Sequence, residues 1–261
     1  MAGISNDNTA PESKQKGEKT GFAKPKIVGL KQLLQKQYDF IDGLSAEFVA
    51  SFGRLVRNFI MTVWGESGNG KSNFLMQLLK ELMKFGDVLY VSLEEGTEST
   101  MQIMALRHLS EESHSGKIKF ADNSMTYEAL MWQLSKKKQA QFIVIDSIQY
   151  WDIDYKKYKA LKERFPKKTF IFISHNKGKN PDGVTANKIR FDGPIKVRVE
   201  GYVAFIVCRY GGNMPYVIWE EGARKYWGPD YNNVVAGKTT KKSKPKKDKA
   251  KKAKKEVEDV N

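Results

Sequence analysis

The chain has 261 residues, with 45 Lys and Arg against 30 Asp and Glu, a formal net charge of +15. That length suits one or two domains, and no apolar run approaches the ~20 residues that a membrane-spanning helix requires, nor does the N-terminus carry a signal-peptide core. A single cysteine, Cys208, excludes a disulfide framework or a zinc ribbon built within one chain.

The charge is unevenly spread. From Lys238 to Asn261 eleven Lys face only Asp248, Glu256, Glu258 and Asp259. This tail has almost no large apolar side chain before Val257, so it is expected to be disordered, as are residues 1–26, rich in Lys, Gly, Ser, Asn and Pro. The tail reads equally as a solvated solubility segment or as a loose polyanion anchor. One folded domain is expected over 27–237.

Within it, residues 27–52 read as helix and connection, with Leu30, Leu33, Leu34, Phe48 and Phe52 as the apolar positions. Phe59 to Trp64 is a buried strand, and Phe74, Leu75, Leu78, Leu79 and Leu82 form a helical stripe beyond it. Val88 to Leu93 is a second strand, after which Thr97 is expected to cap a helix carrying Met101, Met104, Ala105, Leu106 and Leu109. Ile118 and Phe120 mark a short strand and Tyr127 to Lys138 a helix. Phe142 to Asp146, a continuous apolar run closed by an acid, has the pattern of a central parallel strand. Tyr155 to Phe165 is a helix stopped by Pro166, and Thr169 to Ser174 a further buried strand. Asn176 to Gly201 reads as a long polar segment. Tyr202 to Arg209 and Tyr216 to Trp219 read as two strands joined by a Gly-rich connection. Alternating strands and helices predict an α/β fold with a mostly parallel central sheet flanked by helices, extended by a late β-hairpin.

Between the first strand and its helix stands Gly65-Glu66-Ser67-Gly68-Asn69-Gly70-Lys71-Ser72, a match to G-x-x-x-x-G-K-[ST] in the strand-to-helix setting that the motif needs. The glycines let the backbone turn tightly and bring its N–H groups onto phosphate oxygens, and the helix mouth, with Asn73 just inside it, adds unsatisfied donors and a positive dipole end. Lys71 is expected on the β- and γ-phosphates and Ser72 on Mg²⁺. The motif makes a nucleoside triphosphatase using ATP and Mg²⁺ the first expectation.

Asp146, about seventy-five residues after Lys71, fits the second Mg²⁺ ligand, because strand-end carboxylates in parallel sheets lie on the ligand side. Glu94 and Glu95 end another strand, where a carboxylate can orient or deprotonate an attacking water. Neighbouring side chains of an extended chain diverge, so only one of the two faces the phosphate, and Glu94 is favoured. His175, just past a strand, reads either as a γ-phosphate sensor or as an ordinary hydrogen-bonded His. Arg209 beside Gly211 and Gly212 reads either as a surface Arg or as an arginine finger for a neighbouring subunit.

The ordered set Gly65–Ser72, Leu89–Glu95, Val144-Ile145-Asp146-Ser147-Ile148-Gln149, Phe172–His175 and Arg209-Tyr210-Gly211 resembles the RecA-type ATPases, nearest to the RadA and DnaB-type helicase branch. The resemblance spans roughly 60–227. It implies Glu94 as catalytic base, His175 as the link between nucleotide state and DNA loops, and Arg209 acting in trans. It departs from the family in lacking a zinc ribbon, a protease-like tail domain and a separate N-terminal helical domain. Val207 and Cys208 also stand where the family pattern carries a Lys before its Arg. The chain thus resembles a minimal single-domain member of the kind phages and mobile elements encode, which implies a cytoplasmic setting in a bacterial or phage-infected cell.

In such proteins the segment after the last core strands faces DNA. Here Lys177, Lys179, Lys188, Arg190, Lys196 and Arg198 are the expected contacts, with Phe191 stacking on a base, although a solvated lid over the nucleotide is the plain alternative. The leading expectation is a homo-oligomeric ATPase, a ring or filament with a hexamer among its forms. It would act on single-stranded DNA in recombination, repair or replication. A nucleotide-gated regulatory or assembly ATPase without nucleic acid is the main alternative. A kinase ranks third, because no acceptor pocket or lid with converging arginines is visible.

Overall fold

The structure, a computed structural model, describes residues 27–238. The segment 1–26 and the Lys-rich tail beyond residue 238, both expected to be disordered, lie outside the described residues. Contacts divide the chain into two units, the first ending at Tyr38 and the second starting at Asp39. In the first, the described part holds one short helix, α1 (Leu30–Leu34), with none of its residues buried.

The second unit is built on an eight-stranded sheet. Its elements in chain order are α2 (Ala46–Phe52), β1 (Ile60–Gly65), α3 (Lys71–Leu82), β2 (Val88–Ser92), α4 (Ser99–Leu109), β3 (Ile118–Ala121), α5 (Tyr127–Ser135), β4 (Phe142–Asp146), α6 (Tyr155–Arg164), β5 (Thr169–Ser174), β6 (Asn176–Lys177), β7 (Asn180–Pro181), α7 (Val184–Asp192), β8 (Ile195–Glu200), β9 (Val203–Cys208), β10 (Tyr216–Val217), α8 (Glu220–Trp227) and α9 (Tyr231–Val235). The spatial order is β10-β9-β8-β1-β5-β4-β2-β3. From β8 to β3 every neighbouring pair is parallel, whereas β9 and β10 run antiparallel. This is the α/β arrangement expected from the sequence, a mostly parallel sheet flanked by helices with late antiparallel strands.

Burial follows the two-residue period of a strand. Phe142 and Val144 of β4 enter a core with α2, α3 and α4, while Ile143 and Ile145 enter a second core with α5, α6 and α7. Leu75, Leu78, Leu79 and Leu82 of α3 are fully buried on the first face, each contributing on the order of 1.5–3 kcal/mol of transfer free energy. Helices on both faces turn the carboxyl ends of β1, β2, β4 and β5 to one edge, which is where parallel α/β sheets hold their ligands.

Two expectations need correction. The helix after β2 is capped by Glu98 rather than Thr97, and no side chain makes the cap bond. The segment 176–201 is not a loop. It holds the β6–β7 hairpin, α7 and β8, and β8 pairs directly with β1. Its cations alternate with Ile195, Val197 and Val199, all buried, so one face of the strand fills the core while the other carries charge. Among the described residues no helix is long and apolar enough to cross a membrane.

Candidate active site

β1 ends at Gly65 and the chain reverses through 66–70 into α3. Gly68 (φ 77°) and Gly70 (φ 97°) adopt left-handed backbone, where a side chain would strain the turn. Gly65 is required for a different reason: a Cβ there would overlap the Val199 carbonyl oxygen on β8. The loop is clamped from outside by the β8–β9 turn. Asn69 Oδ1 accepts from the Gly201 N–H at 2.7 Å, and the Asn69 carbonyl accepts from the Tyr202 N–H at 3.2 Å. The first N–H groups of α3 have no acceptor within their own helix, and the positive end of its dipole opens on the same space.

That space is a cleft of about 530 Å³. The loop from Gly65 to Gly70, with Lys71, Ser72 and Asn73, forms one wall; Glu94, Glu95, Asp146 and His175 close the others. Asn69, also expected to touch nucleotide, points away into the clamp with Gly201. Lys71 Nζ donates to the carbonyls of Gly65 (2.8 Å) and Glu66 (3.2 Å). Burial holds its pKa below the usual lysine value, opposed by the carboxylates of Asp146, Glu94 and Glu66. An anion in the cleft would exchange two neutral carbonyl partners for a charged one, which makes a stronger hydrogen bond.

Asp146 ends β4 and accepts on Oδ2 from Tyr90 Oη at 2.5 Å. Burial pushes its carboxyl up to about 6; the Tyr90 hydroxyl pulls it down, Glu94 and Glu95 raise it, and Lys71 lowers it. Ser72 and Asp146 are hard oxygen donors facing one cleft, a set that suits Mg²⁺. Among the described residues no group of three or more His, Cys, Asp or Glu is arranged to hold a metal ion by itself. Mg²⁺ in this cleft would therefore rely on phosphate and water for most of its ligands.

Glu94 Oε2 lies 2.9 Å from His175 Nε2, so the expected base and the expected sensor are paired directly. Behind them stands Gln149, which the sequence shows without assigning it a task. Its Nε2 donates to Ser174 Oγ (2.7 Å) and to the Asp182 carbonyl (2.9 Å), and its Oε1 accepts from the His175 N–H (3.2 Å). One amide thus joins the end of β5, the His175 backbone and the chain that follows the β6–β7 hairpin. The Asp182 N–H bonded to the His175 carbonyl at 2.9 Å closes the same circuit.

A second pocket of about 460 Å³ opens beside Gly68 and Asn73, walled by Tyr202, Trp219, Ile218, His108 and Gln77. The Tyr202 and Trp219 rings meet edge to face at 5.0 Å, and His108 Nε2 lies 2.8 Å from Asn73 Oδ1. Nothing periodic in the sequence marks this pocket, because its walls come from four separate elements.

The remaining expected residues lie elsewhere. Lys177 and Lys179 flank the exposed tip of the β6–β7 hairpin, next to His175. Lys188 turns away, its Nζ 5.6 Å over the Tyr155 ring. Arg190, Lys196 and Arg198 sit over the β1–β8–β9 part of the sheet rather than in a loop. Arg209 is exposed just past β9. The register Cys208–Ile195–Met61 puts it at the amino-terminal edge of the parallel strands, about a strand length (~17 Å) from Gly65. It is too far away to reach its own cleft.

No family model matches the chain, and no curated protein matches it. Solved structures do resemble it. The flagellar accessory protein FlaH from Methanocaldococcus jannaschii superposes with a TM-score of 0.50 at 17% identity, covering 69% of this chain and 94% of that one. The ATP synthase subunit NeqB from Nanoarcheaum equitans gives a TM-score of 0.47 at 10% identity, over 62% of this chain and 51% of that one, so this chain spans about half of NeqB. At 17% identity the likeness to FlaH is one of fold alone.

Proposed function

We propose that the chain is an ATP-binding and ATP-hydrolysing RecA-like ATPase whose catalytic domain occupies 27–237. It would work as a homo-oligomer on single-stranded DNA. The observation that carries this reading is the convergence of the Gly65–Ser72 loop, Asp146 and the Glu94–His175 pair on one cleft of triphosphate size.

The residues act as follows. Loop N–H groups and Lys71 take the phosphates, and the base and ribose enter the Tyr202–Trp219 pocket that adjoins Gly68. Ser72 and Asp146 would hold Mg²⁺, which would neutralise charge on the phosphate oxygens when bound. Glu94 orients a water and accepts its proton once His175 lets go of the carboxylate. Arg209, out of reach of its own cleft, supplies positive charge to the triphosphate of a second copy. The β6–β7 hairpin with Lys177 and Lys179 is tied to His175 through Gln149, so nucleotide state and the grip on DNA change together.

The Glu94–His175 hydrogen bond also favours a second reading, a nucleotide-gated regulatory or assembly ATPase, because a base engaged this way turns over slowly until a partner frees it. Phosphate release measured with and without single-stranded DNA, alongside mass determination with a non-hydrolysable ATP analogue, separates the two. Stimulation by DNA and nucleotide-dependent assembly support the first. A flat response to DNA removes its DNA part.

A further inference from the structure

β8 is an interior strand, yet only one of its faces enters the core. Lys196, Arg198 and Glu200 occupy the other, flanked by α7 on the β1 side and by α8 and α9 packed over Val203. The cross-strand register makes two rows over this strip: Trp64–Arg198–Phe205 and Thr62–Lys196–Val207. Val207 is 62% exposed, lying past the end of β10, which pairs with β9 only at Val203 and Ala204. Two adjoining cavities, about 480 and 390 Å³, share Lys179, Arg198 and Glu200 and extend the strip along the sheet.

The cations here are set on aromatic faces. The Arg190 guanidinium lies 5.6 Å from the Trp64 ring centre and 4.5 Å from that of Phe191, and the Arg198 guanidinium lies 4.4 Å from that of Phe205. A guanidinium over a ring can still donate from its N–H edge, although Arg198 already gives Nη1 to Glu200. Arg190 Nε and Thr62 Oγ1, which have no hydrogen-bond partner, are buried beneath the row and lie out of reach of a ligand on its surface. Of the nearby acids, Glu200 is engaged by Arg198, and Asp192 by Tyr158 and by Lys162 at 2.5 Å, while Glu66 stands at the P-loop end of the larger cavity. Burial, and after it the charges of Arg209 and Arg190, hold Lys196 below the usual lysine pKa.

We infer that this strip, rather than a mobile loop, is the path of an extended single-stranded nucleic acid, with Lys179, Arg190, Lys196 and Arg198 on its phosphates and Phe191 (65% exposed) offered to a base. Lys196 and Arg198 are two residues apart on one strand face, ~6.7 Å, which matches the scale of successive phosphates in an extended strand. The inference rests on the DNA part of the function proposed above and places it.

The test uses the whole chain, tail included, with fluorescein-labelled oligo(dT) read by anisotropy from low to physiological salt. Lys179→Gln/Lys196→Gln should weaken binding and reduce the slope of log K against log[salt] by about 1.4, some 0.7 per lost single-strand phosphate contact. Lys156→Gln/Lys159→Gln on α6, equal in charge, should change neither. Lys179→Gln alone, at an exposed hairpin tip that the fold does not depend on, should give about half the slope change and covers the case of a misfolded double variant. Wild-type binding with an unchanged slope in the Lys179 and Lys196 variants overturns the path while leaving a DNA-binding protein. Equal losses in the α6 variant overturn it in favour of general charge. No binding by the wild type overturns both the path and the DNA reading.

Discussion

Asp146→Asn should stabilise the protein without nucleotide while ending its turnover. The carboxyl titrates at about 6 in the folded state, against an ordinary value of 3.8. The folded protein therefore binds more protons than the unfolded chain across this interval. The advantage is full below pH ~4 and is lost as pH rises through ~6. At pH 7 the ionised carboxylate costs up to about 3 kcal/mol relative to its neutral form, less where the cleft lets water screen it. An amide of the same shape keeps an acceptor for Tyr90 Oη and removes that cost. Urea denaturation without nucleotide should thus show Asp146→Asn more stable than wild type by about 1–3 kcal/mol at pH 7, with the gap closing toward pH 4. Phosphate release should fall to background, because the hard anionic donor for Mg²⁺ is gone. A variant that is less stable at pH 7, or whose stability gap does not change with pH, would refute the claim that this carboxylate is held charged against its surroundings.

Glu94→Gln should retain ATP binding, followed with a fluorescent analogue, and lose about 10²–10⁴-fold in turnover; if Glu95→Gln does this instead, the choice between the two acids is wrong. Arg209→Ala should bind nucleotide normally and hydrolyse poorly, and mixing it with the Lys71→Ala variant should restore part of the activity, since each would supply the other's missing group; unaltered turnover in the single variant dismisses a role in trans. Gln149→Ala should lower kcat with little change in KM and abolish stimulation by single-stranded DNA, while Gln149→Glu should keep the fold and shift the pH profile; equal loss of stability and activity in both would reduce Gln149 to a structural tie.

The phosphate-loop half of the site was readable because its signals are local. Gly68 and Gly70 need positive φ, Lys71 follows at a fixed offset, and a strand and an apolar helix flank them. Asp146 and Glu94 were readable as strand ends. What the sequence obscured depends on partners far along the chain. β8 is masked in the sequence because Lys196, Arg198 and Glu200 alternate with Ile195, Val197 and Val199, the pattern of a half-buried strand within a charged stretch. α7 buries only Ala186 and Ile189, too few to show a stripe. α8 went unseen, although Glu220 and Glu221 in its first turn and Arg224 and Lys225 in its last complement the helix dipole. The roles of Gln149 and of the Asn69–Gly201 clamp arise only when residues 25 or more positions apart fold together.

Every role assigned to the cleft requires a triphosphate seated against the loop at the mouth of α3. Isothermal titration of Mg-ATP into wild type and into Lys71→Ala tests this directly. Saturable binding of about one nucleotide per chain, lost or strongly weakened in the variant, is the predicted result. Absence of binding by the wild type, or equal affinity in both proteins, would contradict the account.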